Sequence, residues 1–237
     1  MQTKLLTLAL LLMGVSAGAQ TPVSVSISDD CSQNGKKTEL RSSGTENGYT
    51  WVNLGLSVQW ATMNVGATTP ENYGYYFAWG ETSTKSSYSW STYKYCKGTE
   101  TTMTKYCQSS SYGTVDNKTT LEAEDDAAHV NWGGTWRMPT DAECTELREQ
   151  CTWKWTTQNG IKGYLVTSKK NGNSIFLPAA GYRTGTCLYY GSDGRYWSSS
   201  LRGNYSLSAY GVSFNSDDVN RYYSNRYIGL YVRPVCP

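Results

Sequence analysis

A single histidine, three phenylalanines and six prolines are all that the 237 residues hold of those types. One imidazole excludes catalytic schemes that need two, and zinc sites built from several. Blocks of one charge are missing as well: 21 Lys and Arg against 19 Asp and Glu leave a formal net charge of +2. That balance offers neither a nucleic-acid groove nor a disordered solvating tail. The seven cysteines include no pair at CxxC spacing, so metal-knuckle and thioredoxin-like chemistry have no motif to rest on. Beyond the first twenty residues no apolar run approaches the roughly eighteen needed to cross a bilayer. What is plentiful is Tyr (20), Trp (9) and Gly (23). That mixture describes a rigid, loop-rich globular chain, since disordered chains are poor in aromatics, and its length allows one large domain, or two small ones, with a genuine core.

Residues 1–20 read as a secretory signal peptide, with Lys4, an apolar run from Leu5 to Val15, and the small residues Ser16-Ala17-Gly18-Ala19 before Gln20. No Cys follows the small residues, so lipoprotein processing is not supported. The expected location is beyond the inner membrane: periplasm, outer surface or medium. Export permits disulfides, and Cys96 and Cys107, which close a short loop, are the candidate bridge. Cys144 and Cys151 fall two turns apart in a predicted helix, about 10 Å between Cα atoms, too far to bridge unless the helix ends between them. The odd total leaves at least one thiol free or intermolecular.

Residues 21–48 are polar and aperiodic, which predicts a flexible linker, and 49–237 form the expected domain. Trp51, Leu54, Leu56, Val58 and Trp60 suggest a strand interrupted near Gly55, and Tyr73 to Trp79 a second aromatic stretch. Residues 81–120, almost without aliphatics, read as a long surface excursion. Thr140 as N-cap with Glu143 three residues on predicts a helix to Gln150. Glu122, Glu124, Asp125 and Asp126 suit a second helix start near Leu121–Ala128. Short strands follow at 163–166, 174–178, 209–214 and 227–232, separated by Asn-Gly and Gly-Asn turns. Alternation would bury Tyr210, Val212 and Phe214 in one strand, and Ile228, Leu230 and Val232 in the last, exposing Tyr227 and Tyr231. The fold class is α+β, with few helices, short antiparallel strands and long loops.

Composition shifts along the chain. Every Lys, Glu, Gln and Met lies before Ile175, whereas Arg and Asp continue past it. Half of the 20 Tyr fall within residues 182–231, mixed with Ser, Gly and Asn. This is a paratope alphabet: Tyr gives broad contact area with few rotatable bonds, and Ser, Gly and Asn give adaptable hydrogen bonds. A Tyr-rich β surface of a secreted protein accounts for the composition equally well.

The string Trp132-Gly133-Gly134-Thr135-Trp136-Arg137-Met138-Pro139-Thr140 resembles the core of C-type lectin-like domains related to the formylglycine-generating enzyme. The segments VNLGLSVQWATMNVGA (52–67), YGYYFAWGET (73–82), EDDAAHVNWGGTWRMPT (124–140), NGNSIFLPAAGYR (171–183), YWSSS (196–200) and GLYVRPV (229–235) resemble exported Bacteroides-type proteins. Some of these are the variable proteins of diversity-generating retroelements. The resemblance covers most of 49–235 and implies a C-type lectin-like fold, with a variable region at about 183–231. In such systems adenine-directed mutagenesis turns AAC-type codons into NNC, a set without Lys, Glu, Gln, Met or Trp, which matches the missing residues. Read this way, Tyr189, Tyr190, Tyr205, Tyr222 and Tyr223 are aromatic anchors, and Arg195 and Arg202 are charged hot spots. Asp193, Ser208, Ser213, Asp217, Asp218 and Ser224 are polar contacts. The expected partner is a protein or glycan on another cell or host surface, with no nucleic acid and no transmembrane segment.

Two alternatives come with the same resemblance. A carbohydrate-binding or adhesion lectin would commonly use calcium through Glu-Pro-Asn, Gln-Pro-Asp or Trp-Asn-Asp sets, none of which occurs. Glu122, Glu124, Asp125 and Asp126 could supply oxygen ligands, but the same cluster suits a solvated helix start, the reading preferred here, so no cofactor is expected. A formylglycine-generating-like enzyme would need a reactive cysteine pair. Cys187 and Cys236 match no such motif, and His129 has no marked nucleophile to serve, so a structural imidazole and no enzymatic activity are expected. The coding sequence tests the diversification reading directly. Codons for Tyr189, Tyr190, Asp193, Arg195, Tyr205, Ser213, Asp218, Tyr222, Tyr223 and Ser224 should end in C or T, and AGA or AGG at Arg195 would count heavily against it.

Overall fold

The computed structural model describes residues 41–189 and 191–237. The signal-peptide expectation for 1–20, the linker expectation as far as residue 40, Cys31 and Tyr190 lie outside the described residues. Strands β1 (Ser43–Glu46) and β2 (Tyr49–Val52) form a hairpin through Asn47-Gly48, both at positive φ (45° and 84°), as a two-residue turn demands. The last part of the expected linker is therefore a strand, and the folded unit begins before Tyr49. The interrupted strand divides in two, β2 and β3 (Gln59–Ala61), with Gly55 at φ 66° between them. The distant β12 (Val235–Cys236) completes the sheet in the order β1-β2-β3-β12.

Helix α1 (Ala127–Trp132) starts later than expected, because Asp126 is its N-cap and accepts from the amides of Ala128 and His129 at 2.9 and 3.0 Å. Helix α2 (Asp141–Gln150) carries the capping box read from the sequence: Thr140 Oγ1 accepts from the Glu143 amide (3.2 Å), and Glu143 Oε2 from the Thr140 amide (2.7 Å). It ends at Gln150, so Cys144 sits on the helix and Cys151 opens β4 (Cys151–Gln158). β4, β5 (Ile161–Ser168) and β6 (Ser174–Pro178) make a meander whose first turn is Asn159-Gly160. A ribbon of β7 (Tyr182–Thr184) and β8 (Cys187–Tyr189) leads into the last sheet. There β9 (Gly194–Leu201), β10 (Ser208–Phe214) and β11 (Val219–Asn225) lie in the order β11-β10-β9. All strand pairs are antiparallel, and among the described residues the only α-helices are these two. The α+β class, with short antiparallel strands and few helices, thus holds.

Three packing patterns depart from the sequence reading. The 81–120 excursion is not a surface loop, because Tyr88, Tyr93, Tyr95, Met103 and Tyr106 are buried in the first of two core clusters. Tyr supplies apolar area where aliphatics are absent, and its hydroxyls find partners: Tyr88 donates to the Tyr76 carbonyl (2.8 Å) and Tyr93 to that of Trp79 (2.7 Å). In β10 a bulge between Ala209 and Gly211 shifts the phase, so Ala209, Val212 and Phe214 are buried while Tyr210 is not. Gly211 is required there, since a Cβ would stand 2.1 Å from the Tyr196 carbonyl oxygen. The third departure is the expected last strand, which forms only isolated bridges. Its alternation serves two interiors: Leu230 and Val232 belong to the first core, Tyr231 and Val235 to the second. Tyr231 is accordingly buried rather than exposed.

The cysteines at 96 and 107 do not form the expected bridge. Cys96 pairs across a bridge with Met103, and its thiol donates to the Trp90 carbonyl (2.9 Å), while the Cys107 thiol donates to that of Ser109 (3.1 Å). All six described cysteines are unbridged.

Arg226, fully buried just after β11, ties the excursion to the last sheet. Its Nη1 donates to the carbonyls of Ser206 (2.9 Å) and Tyr106 (3.1 Å), Nη2 to Lys105 (3.0 Å), and Nε to the Tyr93 hydroxyl (2.8 Å). Replacing it by Met fills similar volume but orphans three carbonyls. Arg226→Met should lower unfolding free energy by about 3 kcal/mol or more in urea titrations.

Candidate functional site: a tyrosine and arginine stack

The residues singled out in the C-terminal region converge on the last sheet, its free edge and the neighbouring ribbon. Tyr182 and Tyr189 are paired across the β7–β8 ribbon and stack with centroids 4.7 Å apart and planes 7° from parallel. The Arg195 guanidinium lies 3.8 Å from the centroid of Tyr182 and 5.2 Å from that of Tyr222. It is held by Asp193, whose Oδ2 accepts from Nε at 2.7 Å, and by the Tyr222 hydroxyl, which accepts from Nη1 at 3.0 Å. Tyr222 and Tyr223 stand on opposite faces of β11 by alternation, yet their rings lean together at 6.4 Å and 16°. Arg202 then lies 3.6 Å from Tyr223 and 5.2 Å from Tyr205, and Tyr205 meets Tyr112 edge-on at 5.6 Å. The outcome is an unbroken run of rings and guanidinium planes passing round the edge of β11. Tyr189, Tyr205 and Tyr223 are 47%, 37% and 50% exposed.

Two linked depressions open beside this run. One, of about 540 Å³, is lined by Tyr182, Leu188, Tyr189, Ser192, Asp193 and Arg195. The other, of about 120 Å³, shares Asp193 and Arg195 and adds Ser213, Asn215, Asp218, Asn220 and Tyr222. Asp217 and Asp218 sit on the exposed β10–β11 turn, where Asn215 Oδ1 accepts both of their amides at 2.8 and 3.0 Å. Two expected contacts are excluded: Ser208 and Ser224 are 2% and 8% exposed. They fall opposite Asn225 and Ala209 in the β10–β11 ladder, on positions that burial closes to a ligand. Tyr112 and Tyr182 were missed. Tyr182 falls just outside the region 183–231 that the resemblance implies to vary, and it reaches Tyr189 because the ribbon turns at Gly185-Thr186. Tyr112 joins only through the folded-back excursion, which no local pattern announces.

The acidic cluster is an ion-pair network, not the solvated helix start expected. Lys105 Nζ lies between Glu122 (2.5 Å), Asp125 (2.5 Å) and Glu124 (3.2 Å), and so occupies the position that a cation bound by these carboxylates would take. Lys94 adds a contact to Asp125 at 3.2 Å. Asp126 spends its oxygens on three amides, those of Ala128, His129 and Met138, so the donor set does not suit calcium. His129 Nδ1 lies 3.2 Å from the Trp136 carbonyl. Cys187 is exposed on β8 and Cys236 buried in β12.

No helix among the described residues is long and apolar enough to cross a membrane. No protein-family model, curated protein or solved structure matches the chain.

Burial pulls the Asp125 carboxyl up, but Lys105, the hydroxyls of Tyr95 and Tyr106, and Lys94 outweigh it and bring it down to about 2. A folded value below the unfolded one stabilises the protein above the ordinary carboxylate range, and that gain fades as pH falls toward 2. Wild type should therefore lose about 2 kcal/mol more than Asp125→Asn between about pH 5 and pH 2, read from urea midpoints at each pH.

Proposed function

We propose that this chain is an exported ligand-binding protein. In this reading a C-type lectin-like scaffold displays the C-terminal tyrosine and arginine face, and a retroelement diversifies that face for recognition of varied ligands on other cells or host surfaces. The observation that carries the reading is the continuous stack from Tyr189 to Tyr205, because exposed positions of the Lys-, Glu-, Gln- and Met-free region gather on it. Rings already fixed by one another lose little freedom on contact, which is how a paratope keeps the cost of ordering low. Buried members of the same region, Trp197 and Arg226 among them, support the face from below. A varied surface needs such a division, since replacing an exposed ring leaves the core untouched.

A non-diversified carbohydrate-binding lectin is the second reading, and the larger depression favours it. The parallel rings of Tyr182 and Tyr189 offer a sugar-stacking platform rimmed by Ser192, Asp193 and Arg195. A formylglycine-generating-like enzyme gains no support from the placing of Cys187 and Cys236.

A screen against glycan and surface-protein arrays, run on the chain and on Tyr222→Ala/Tyr223→Ala, tests both binding readings. Binding should be lost in the double variant while its melting temperature falls by only a few degrees, roughly 2–4 °C. Tyr222, half-buried against the first core, accounts for most of that fall. A collapse of stability would instead make these rings core residues and remove the proposed face.

A further inference from the structure

Arg202 is the member of the stack whose guanidinium has no hydrogen-bond or ion-pair partner among the described residues. The other arginines of the sheet that reach solvent are committed, half-buried Arg195 to Asp193 and Tyr222, and exposed Arg221 to Asp141 through Nε and Nη2 at 3.0 and 2.7 Å. From Gly194 to Ser216 the sequence contains no Asp or Glu. Tyr223 and Tyr205 nevertheless fix the plane of the Arg202 fork. It stands ready for a planar, two-oxygen acceptor without the ordering cost of a loose side chain.

A second, independent feature lies beside it. β11 is the outer strand of its sheet. On the β10–β11 ladder the Arg226 amide donates to Leu207 (2.9 Å) and the Asn215 amide to Asp218 (3.1 Å). The alternation of an antiparallel ladder then makes Ser224–Ala209, Tyr222–Gly211 and Asn220–Ser213 the inward-bonded pairs. The amides and carbonyls of Arg221 and Tyr223, and the amide of Asn225, therefore point away from β10 and have no partner among the described residues. An open ladder of this kind pairs with extended peptide backbone.

We propose that an extended segment of a protein ligand adds to the free edge at Arg221–Asn225 and presents an Asp or Glu carboxylate to Arg202. This rests on the reading of the same face as a ligand-binding surface and names the chemistry of its ligand. A glycan acid could use the guanidinium, but it has no backbone with which to use the strand edge, and the two features together favour a peptide.

The probe is a display library of random linear peptides, selected on the full chain, with the strongest binders then measured as synthetic peptides. Asp or Glu should be enriched at one position, and Arg202→Gln should weaken those peptides by about tenfold or more, with Arg202→Lys between it and wild type. Arg221→Pro removes an outward amide without breaking the ladder to β10. It should weaken binding by about tenfold relative to Arg221→Ala, which loses the same side chain and keeps the amide. Circular dichroism of each variant checks that the fold is intact. Absence of acidic enrichment, indifference to Arg202→Gln, or equal binding by Arg221→Pro and Arg221→Ala overturns the proposal, as does a selection that yields no binder. If carboxylated glycans bind in an Arg202-dependent way while peptides do not, the peptide proposal fails and the ligand-binding face stands. If selected peptides or glycans bind but ignore Tyr222→Ala/Tyr223→Ala, the face itself is wrong.

Discussion

A guanidinium that is fully buried and faces no carboxylate must be answered by carbonyls, and much of this molecule is arranged round that requirement. Arg226 draws the carbonyls of Lys105, Tyr106 and Ser206 and the hydroxyl of Tyr93 onto one fork. In doing so it fastens the aliphatic-poor excursion beneath the end of β11. Arg233 repeats the device in the second interior, donating to the Asn64 side chain (2.8 Å) and to the carbonyls of Ala61 (3.0 Å) and Phe176 (2.9 Å). A lysine could not span such a set, because its donors diverge from a single nitrogen. The strand that carries Tyr222 and Tyr223 ends on the first of these anchors, so the rigidity of the exposed rings is inherited from a charge that solvent never reaches.

Local chemistry was legible in the sequence wherever a single turn or cap decides the structure. Thr140 and Glu143 specify their helix start unaided, and Asn159-Gly160 specifies its hairpin. What could not be read was any position where one backbone serves two environments. The run from Ile228 to Val235 alternates as a half-exposed strand would, yet both of its faces are interior. Period-two patterning distinguishes sides; it does not say whether the second side is water. The bulge at Ala209–Gly211 defeats the same pattern for another reason, since one extra residue puts the side chains on its two sides out of phase, and Tyr210 turns out of the core while Val212 and Phe214 stay in it.

The candidate site was legible as an alphabet and only in part as a geometry. Composition pointed to Tyr189, Arg195, Arg202, Tyr205, Tyr222 and Tyr223, all members of the stack. It could not separate Ser213, which lines the smaller depression, from Ser208 and Ser224, which are buried. A serine carries too little surface for its surroundings to leave a mark on the residue chosen. The acidic cluster misled in the opposite direction. Four carboxylates in five residues suggest solvent or a metal, and the lysine that settles the matter lies seventeen residues away from the nearest of them, inside a segment that appeared structureless.

The pairing of β3 with β12 joins Trp60 to Val235, close to the two ends of the described chain. Such a contact closes a very long loop and is rewarded only when nearly everything between is available, a topology associated with slow folding. Until it forms, the segment that divides the two interiors has no place to lie, and the sheet of β9, β10 and β11 lacks the contacts that Tyr231 makes with Tyr196 and Trp197. The cost is that an aromatic-rich sheet must wait, uncovered, for the final residues of the chain to lie down against it.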